Sequence, residues 1–303
     1  MKTIRVNFVD FWGFFNKEDN FLIRALRRWY DVQFSDRPDY LFFGDDRART
    51  HRGYDCIKIY VPLENRVPNF RYCDYAFSYR YLDDPRNIRL PYYVFCGAPE
   101  LLVKQADEAE HLLATKTKFC AVVIGNRNTK RTSRRLRFFE KLSRYKPVDS
   151  GGRFLNNIGG PVRDKVAFLR DYKFHVCFEN ASSPGYVSEK IVHAMQARSL
   201  PVYWGSPRIG EEFNPRSFLQ VTEEMSDESA IEQIITLDRD DARYLALARE
   251  PYFHQNVPNE FYDPERLRPQ FEKIFSSTQR ARSFFYFRDV IFNARVKWGL
   301  GRP

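Results

Sequence analysis

Near the N-terminus, short apolar runs (TIRVNFVDF, DYLFFGDD, CIKIYVPLE and DYAFSYR) alternate with a segment of helical spacing, DNFLIRALRRWY. Runs of that length around an amphipathic segment predict a mostly parallel sheet with helices on its faces. Residues 98–118, APELLVKQADEAEHLLATKTK, break the rhythm and predict a polar helix and connector. The alternation then restarts. FCAVVIGN reads as a strand, SRRLRFFEKLSRY as a helix, KPVDSGG as a strand and turn, VRDKVAFLRDY as a helix and KFHVCFEN as a strand. A helix over about 186–198 and the strand LPVYWG follow. The expectation is an α/β protein of two Rossmann-like lobes facing a cleft, divided as 1–112 and 113–258, with 259–303 as a C-terminal helix and tail. Open α/β sheets bind ligands beyond the carboxyl ends of their strands, and clefts between lobes are favoured ligand sites.

Composition narrows the class. The chain has 303 residues, 43% apolar and 29% charged, which is ordinary for a globular protein and ample for two cores. No run approaches the ~18 uncharged apolar residues of a membrane span. MKTIRVNFVDFWGFF carries Asp10 within its apolar stretch and reads as a first strand, not as a signal peptide. The five cysteines stand singly in apolar runs without ligand spacing, so reduced thiols in the cytosol are expected.

The net charge of +10 is unevenly spread. From Thr278 to Pro303 six basic residues face one acid, so half of the excess sits in the tail. Wound as a helix, RSFFYFRDVIFNARVKWG places Phe284, Phe287, Ile291, Ala294 and Trp298 on one stripe flanked by Arg288 and Arg295. Such a face suits an anionic membrane surface. Packing across the lobes explains it equally well. The expected location is cytoplasmic, peripheral on the inner membrane if 278–303 binds lipid.

Candidate chemistry concentrates in KFHVCFENASSPGYVSEK, residues 173–190. Glu179 and Asn180 follow a strand, a small-residue turn comes next, and Glu189-Lys190 open a helix. A helix N-terminus with a lysine suits phosphate, while Asn180 and Tyr186 can bond or stack. Glu189 would repel an anion there and must face another group, such as a sugar hydroxyl or developing positive charge. A solvated pair at a helix start with a capping turn before it accounts for the same residues.

Two other stretches carry weaker signals. In GNRNTKRTSRRLRFFEKL a basic run enters a helix directly after a strand, so Arg134 and Arg135 could clamp a diphosphate. A solvated basic face is the competing reading. In YVPLENRVPNF, Glu64 follows an apolar run at a strand end, where a carboxylate can act as a general base or anchor a loop. Asp238-Arg239-Asp240 spells the DxD of many metal-dependent sugar transferases, but it lies between two helical patterns and reads as helix punctuation.

Taken together, YKFHVCFEN, GYVSEKI, PVYWGSP and FNPRSF, with VDSGGRFLNNIGG and VPLENRVPNFRYCDYAFSYRYLDD upstream, resemble the bacterial α1,3/4-fucosyltransferases of glycosyltransferase family 10. The resemblance covers about 60–270 and implies a GT-B fold, with the acceptor lobe first and the GDP-fucose lobe second. It implies Glu64 as general base, and Arg135, Asn180, Tyr186, Glu189 and Lys190 as the donor-binding set, with Glu189 also catalytic. The implied reaction is inverting transfer of L-fucose from GDP-fucose to the 3- or 4-hydroxyl of GlcNAc in a lactosamine-type glycan. It implies products of the Lewis-antigen kind on bacterial lipopolysaccharide or protein glycans. No cofactor or metal is expected to be required, a divalent cation at most stimulating. The alternatives are a GT-B transferase using another nucleotide sugar, or a basic RNA-binding protein. No nucleic-acid motif supports the latter, and none is expected as a partner.

Overall fold

The computed structural model describes residues 1–13, 15–105, 112–125 and 129–277, with the backbone alone over 129–133. The expected amphipathic helix of 278–303 lies outside the described residues. The chain forms two compact units: Met1–Pro91 together with the segment from Asp263, and Tyr92–Tyr262.

The first unit is built on strands β1 (Lys2–Val9), β2 (Tyr30–Phe34), β3 (Tyr40–Phe43), β4 (Ile57–Tyr60), β5 (Tyr75–Ser78) and β6 (Asn87–Arg89), with helix α1 (Phe21–Leu26) between β1 and β2. The sheet order is β2-β1-β3-β4-β5-β6, and every neighbouring pair runs parallel. Helix α1 starts where the Asn20 side chain accepts from Leu22 N and Ile23 N, satisfying two donors that a helix start leaves free. All its residues but Arg24 are buried.

Three features differ from the sequence reading. The helical segment DNFLIRALRRWY ends early, at Leu26, and its last residue together with the unassigned DVQF pairs with β1 as an edge strand. The short β6 was not anticipated. Moreover, the helix Arg268–Ser276 belongs to the first unit. Its Phe271 lies 5.1 Å from Phe77, and its Phe275 lies 4.9 Å from Tyr30 and 4.4 Å from Tyr40, centroid to centroid. Lys2 Nζ donates to Phe275 O at 2.6 Å, and Arg266 Nη1 to Arg89 O at 3.0 Å. Aromatic burial of this size outweighs sequence distance.

The second unit contains α2 (Leu112–Thr115), β7 (Lys118–Val122), α3 (Thr129–Leu142), β8 (Val148–Ser150), α4 (Lys165–Leu169), β9 (Tyr172–Phe178), α5 (Glu189–Gln196), β10 (Leu200–Trp204), β11 (Leu219–Gln220), α6 (Asp227–Arg239) and α7 (Asp241–Arg249). Its parallel sheet has the order β11-β10-β9-β7-β8. β9 is central and is buried at all but one of its positions, as its unbroken apolar run requires. The core joins Phe138, Phe174, Phe178, Val202, Ile234 and Tyr244.

The units divide at Pro91 and Tyr262, not at 112 and 258. Residues after Pro91 join the second unit because Gln196 Nε2 donates to Cys96 O, Lys104 N to Asn256 Oδ1 and Asn259 Nδ2 to Tyr93 OH. Within 98–118 the described residues form a 3-10 turn, Pro99–Leu102, then α2 and the first residue of β7, and the expected polar helix falls in part on 106–111, outside the described residues. The Asp238–Asp240 spelling is helix punctuation. Asp238 is buried against Lys146 and Lys173, and Asp240 caps α7 by accepting from Arg243 N. No described helix is long and apolar enough to cross a membrane.

Candidate active site

The second unit's site begins one residue past β9. Glu179 N donates to Trp204 O at 2.8 Å, carrying the β9–β10 ladder to the strand end. Its side chain is then turned inward and fully buried. A buried carboxylate needs partners, and here they come from the start of α5. Ser188 N and Ser188 Oγ donate to it at 2.7 and 2.8 Å, and Lys190 Nζ lies 2.9 Å from Oε2. Lys190 Nζ also donates to Ser188 Oγ at 2.8 Å. Because Ser188 is occupied by Glu179, it makes no side-chain cap of its own, and α5 starts at Glu189, not at Tyr186.

Close approach fixes the rest of the corner. Gly185 has φ +81°, a conformation other residues rarely adopt, and its N donates to Ser206 Oγ at 2.9 Å. At Gly205 an added Cβ would meet Tyr203 Oη at 2.5 Å and Glu179 Cγ at 2.6 Å. Tyr186 is buried, and its N donates to Ser183 O at 3.0 Å.

Beyond the carboxyl ends of β7 and β9 lies a pocket of about 310 Å³ including open solvent. Its lining combines the apolar Val122, Ile124, Val176 and Phe178 with Arg135, Lys165, Lys190, His175 and His193. Arg135 is 5% exposed. Burial opposes the charge on Lys190, but Glu179 and Glu189 outweigh it and hold the pKa above the ordinary lysine value, against repulsion from Arg135. Burial likewise opposes the charge on Glu189. Lys190 and Lys165 more than offset it, so the carboxyl is held well below the usual range. Lys165 Nζ lies 3.3 Å from Glu189 Oε1. Burial, aided by the nearby lysines, pushes His175 down to about 3 and His193 down to about 4, so both rings are neutral at pH 7. His193 Nδ1 is buried with no hydrogen-bond partner among the described residues.

The predicted residues divide as follows. Arg135 and Lys190 line the pocket, and Glu189 joins them electrostatically. Arg134 points elsewhere: it donates to Thr222 O and Met225 O and pairs with Glu223 and Asp227. Asn180 follows Glu179 in the loop and is half-buried, but neither it nor Tyr186 is among the pocket-lining residues. Lys165, His175 and His193 escaped the sequence reading, since each stands alone within an ordinary helix or strand. Glu179 was quoted, but its role as the buried anchor of Lys190 was not foreseen.

Glu64 belongs to the first unit, on the loop after β4. The organiser of that loop is Asp45, whose side chain is 2% exposed. It accepts from Leu63 N at 2.8 Å, Glu64 N at 3.0 Å and the Tyr60 hydroxyl, and it pairs with Arg66 Nε at 3.3 Å. Glu64 itself is half-buried. Asn65 Oδ1 accepts from the Tyr79 hydroxyl and from Arg80 Nη2.

Two all-parallel α/β units, the second with a cationic pocket at the carboxyl edge of its sheet, make up the GT-B architecture of glycosyltransferases. The chain belongs to glycosyltransferase family 10. The family model for the alpha-(1,3)-fucosyltransferase FucT N-terminal domain matches residues 6–96, and that for the glycosyltransferase family 10 (fucosyltransferase) C-terminal part matches 113–255. The chain is 31% identical over 272 residues to an alpha-(1,3)-fucosyltransferase FucT of Helicobacter pylori, covering 74% of this chain and 55% of that one. It is 33% identical over 177 residues to the 3-galactosyl-N-acetylglucosaminide 4-alpha-L-fucosyltransferase FUT3 of Bos taurus, covering 57% of this chain and 46% of that one. It thus spans about half the length of these curated relatives. A crystal structure of an alpha1,3-fucosyltransferase with GDP-fucose superposes with TM-score 0.74 at 25% identity, covering 92% of each chain.

Proposed function

We propose that this chain is an inverting fucosyltransferase that moves L-fucose from GDP-fucose to the 3- or 4-hydroxyl of GlcNAc in a lactosamine-type glycan. The observation that carries the reading is the pocket in which Arg135, Lys165 and Lys190 converge beyond β7 and β9. The likeness to a fucosyltransferase crystallised with GDP-fucose supports the choice of nucleotide sugar. The names of similar proteins, 3-galactosyl-N-acetylglucosaminide 4-alpha-L-fucosyltransferase and 4-galactosyl-N-acetylglucosaminide 3-alpha-L-fucosyltransferase, support the acceptor class.

The chemistry needs three things: a base for the acceptor hydroxyl, stabilisation of an oxocarbenium-like fucose, and neutralisation of the departing diphosphate. Arg135, Lys190 and the N-terminus of α5 hold the diphosphate in place of a metal ion. Lysine has three N–H donors. Glu179 and Ser188 take two of those on Lys190, which leaves one for a phosphate oxygen. Lys165 holds Glu189 as a carboxylate able to face the positive sugar ring. Asn180 and Tyr186 bind the sugar or nucleoside. Glu64, on its Asp45-fastened loop, removes the acceptor proton.

The test is product analysis by NMR after incubation with GDP-fucose and type 1 or type 2 lactosamine, with EDTA and with manganese. Fucosylated GlcNAc formed in EDTA is the expected result. No transfer from GDP-fucose, or transfer only with manganese, would overturn the reading or its metal-free form respectively.

A further inference from the structure

In the first unit a second proton-exchanging group stands at the same sheet edge as Glu64. β1, β3 and β4 are adjacent and parallel, so their carboxyl ends share one edge. There Asp10, the residue after β1, adopts φ +59°. Non-glycine residues in this left-handed region are uncommon, and Asp is among those that tolerate it. Gly44, after β3, approaches so closely that an added Cβ would lie 2.7 Å from Asp10 O.

This backbone turns the Asp10 side chain inward, where it is fully buried. Its carboxylate accepts from Thr50 N at 2.7 Å and His51 N at 2.9 Å, and it meets His51 Nδ1 at 2.5 Å. The Phe43 ring stacks on the imidazole at 4.2 Å between centroids. The imidazole is therefore fixed in orientation, with Nδ1 committed to Asp10. His51 keeps 15% of its side chain exposed, and Nε2 has no partner among the described residues. A carboxylate on one imidazole nitrogen sets the chemistry of the other, the arrangement that enzymes use to present a ring nitrogen to substrate. Capping the Thr50–Gly53 turn alone would need only the carboxylate of Asp10, without an oriented ring.

We propose that His51, held by Asp10, is a second contact of the first unit with the acceptor glycan, its Nε2 hydrogen-bonding a sugar hydroxyl. A hydroxyl both donates and accepts, so the contact forms whether or not Nε2 carries a proton. The inference rests on the fucosyl-transfer reading and extends its acceptor side, which otherwise has only Glu64.

The deciding variant is His51→Asn in the full chain. Its amide N–H takes the place of Nδ1–H toward Asp10, and nothing takes the place of Nε2. With GDP-fucose and N-acetyllactosamine, acceptor kcat/KM falls about 10-fold or more, while GDP-dependent thermal stabilisation and the KM for GDP-fucose stay within about twofold. Acceptor kcat/KM within twofold of wild type, with GDP binding intact, overturns the contact. If His51→Asn fails to bind GDP, His51→Gln and His51→Ala are compared instead. Better transfer by the glutamine, whose amide reaches the outer position, supports the contact, and equal loss in both overturns it. A wild-type chain that transfers to no lactosamine overturns the fucosyl-transfer reading itself, whereas an active wild type with an unimpaired His51→Asn overturns only the contact.

Discussion

The ammonium of Lys190 lies 2.9 Å from the fully buried carboxylate of Glu179, and Ser188 Oγ bonds to both. The pair ties the end of β9 to the first turn of α5 across an eleven-residue separation. Removing one partner of a buried pair leaves the other charge uncompensated, which costs about 3–5 kcal/mol. Glu179→Gln is therefore expected to lower the stability of the second unit by that order in urea denaturation. It is also expected to weaken GDP binding in calorimetry, because Lys190 loses its tether. Wild-type stability in the glutamine variant would remove the anchoring role.

Arg135 and Lys190 are the pocket cations expected to receive the leaving diphosphate. Preorganised donors of this kind are worth on the order of 3 kcal/mol each. Lys190→Ala and Arg135→Ala are each expected to cut turnover by about 100-fold or more with the folded-state circular dichroism retained, Lys190→Ala also lowering stability because it leaves the buried Glu179 carboxylate unpaired. Near-normal rates in both variants would end the diphosphate-clamp assignment. Arg134→Ala, whose guanidinium is engaged by Glu223, Asp227 and two backbone carbonyls, is expected to lower stability and not to change the chemistry directly.

Glu64→Gln keeps the backbone N–H that Asp45 binds and removes only the basic oxygen. Intact GDP binding with transfer largely lost is the expected outcome, measured by paired calorimetry and product assay. Asp45→Asn should lower transfer as well, through a loosened loop, with donor binding unchanged. Unaltered turnover in Glu64→Gln would refute the general-base assignment.

His175 and His193 make the second unit acid-sensitive. Their folded values, about 3 and about 4, lie below the ordinary 6.5. Above pH 6.5 the folded and unfolded chains hold these rings alike. As pH falls from 6.5 toward 4, the unfolded chain takes up protons that the folded one refuses, so stability declines. The slope approaches about 1.4 kcal/mol per pH unit for each ring. Melting temperatures between pH 7 and 4.5 should fall accordingly. His175→Asn, which keeps a donor toward Ala121 O, should flatten the decline. A flat profile in the wild type would contradict the neutral, buried state of both rings.

The strand-and-helix alternation was legible wherever burial was two-sided. β9 and β10 announce themselves because a parallel strand covered on both faces must be apolar throughout. β2, β6 and β11 were not legible. They are short edge strands whose side chains are mostly half-exposed, so their pairing rests on backbone bonds that leave little trace in residue type. At the site, Glu189 and Lys190 stand at a strand-to-helix corner that the sequence marks, whereas Arg135 lies well inside α3 and the basic run did not separate it from Arg134. Lys165 and His193 come from other turns of α4 and α5, and only packing of those helices gathers them around one pocket.

By itself the sequence determined that two parallel α/β sheets form, that a charged corner follows β9, and which family's motifs occupy it. These follow from local patterns, in which each residue's type reports its own burial or turn. Tertiary structure alone decided that Glu179 faces inward to hold Lys190, that Asp45 and Asp10 fasten the loops of Glu64 and His51, and that Phe271 and Phe275 close the first sheet from far along the chain. A carboxylate can face water or a buried lysine with the same neighbours in sequence. The choice is set by which groups packing brings within hydrogen-bond reach.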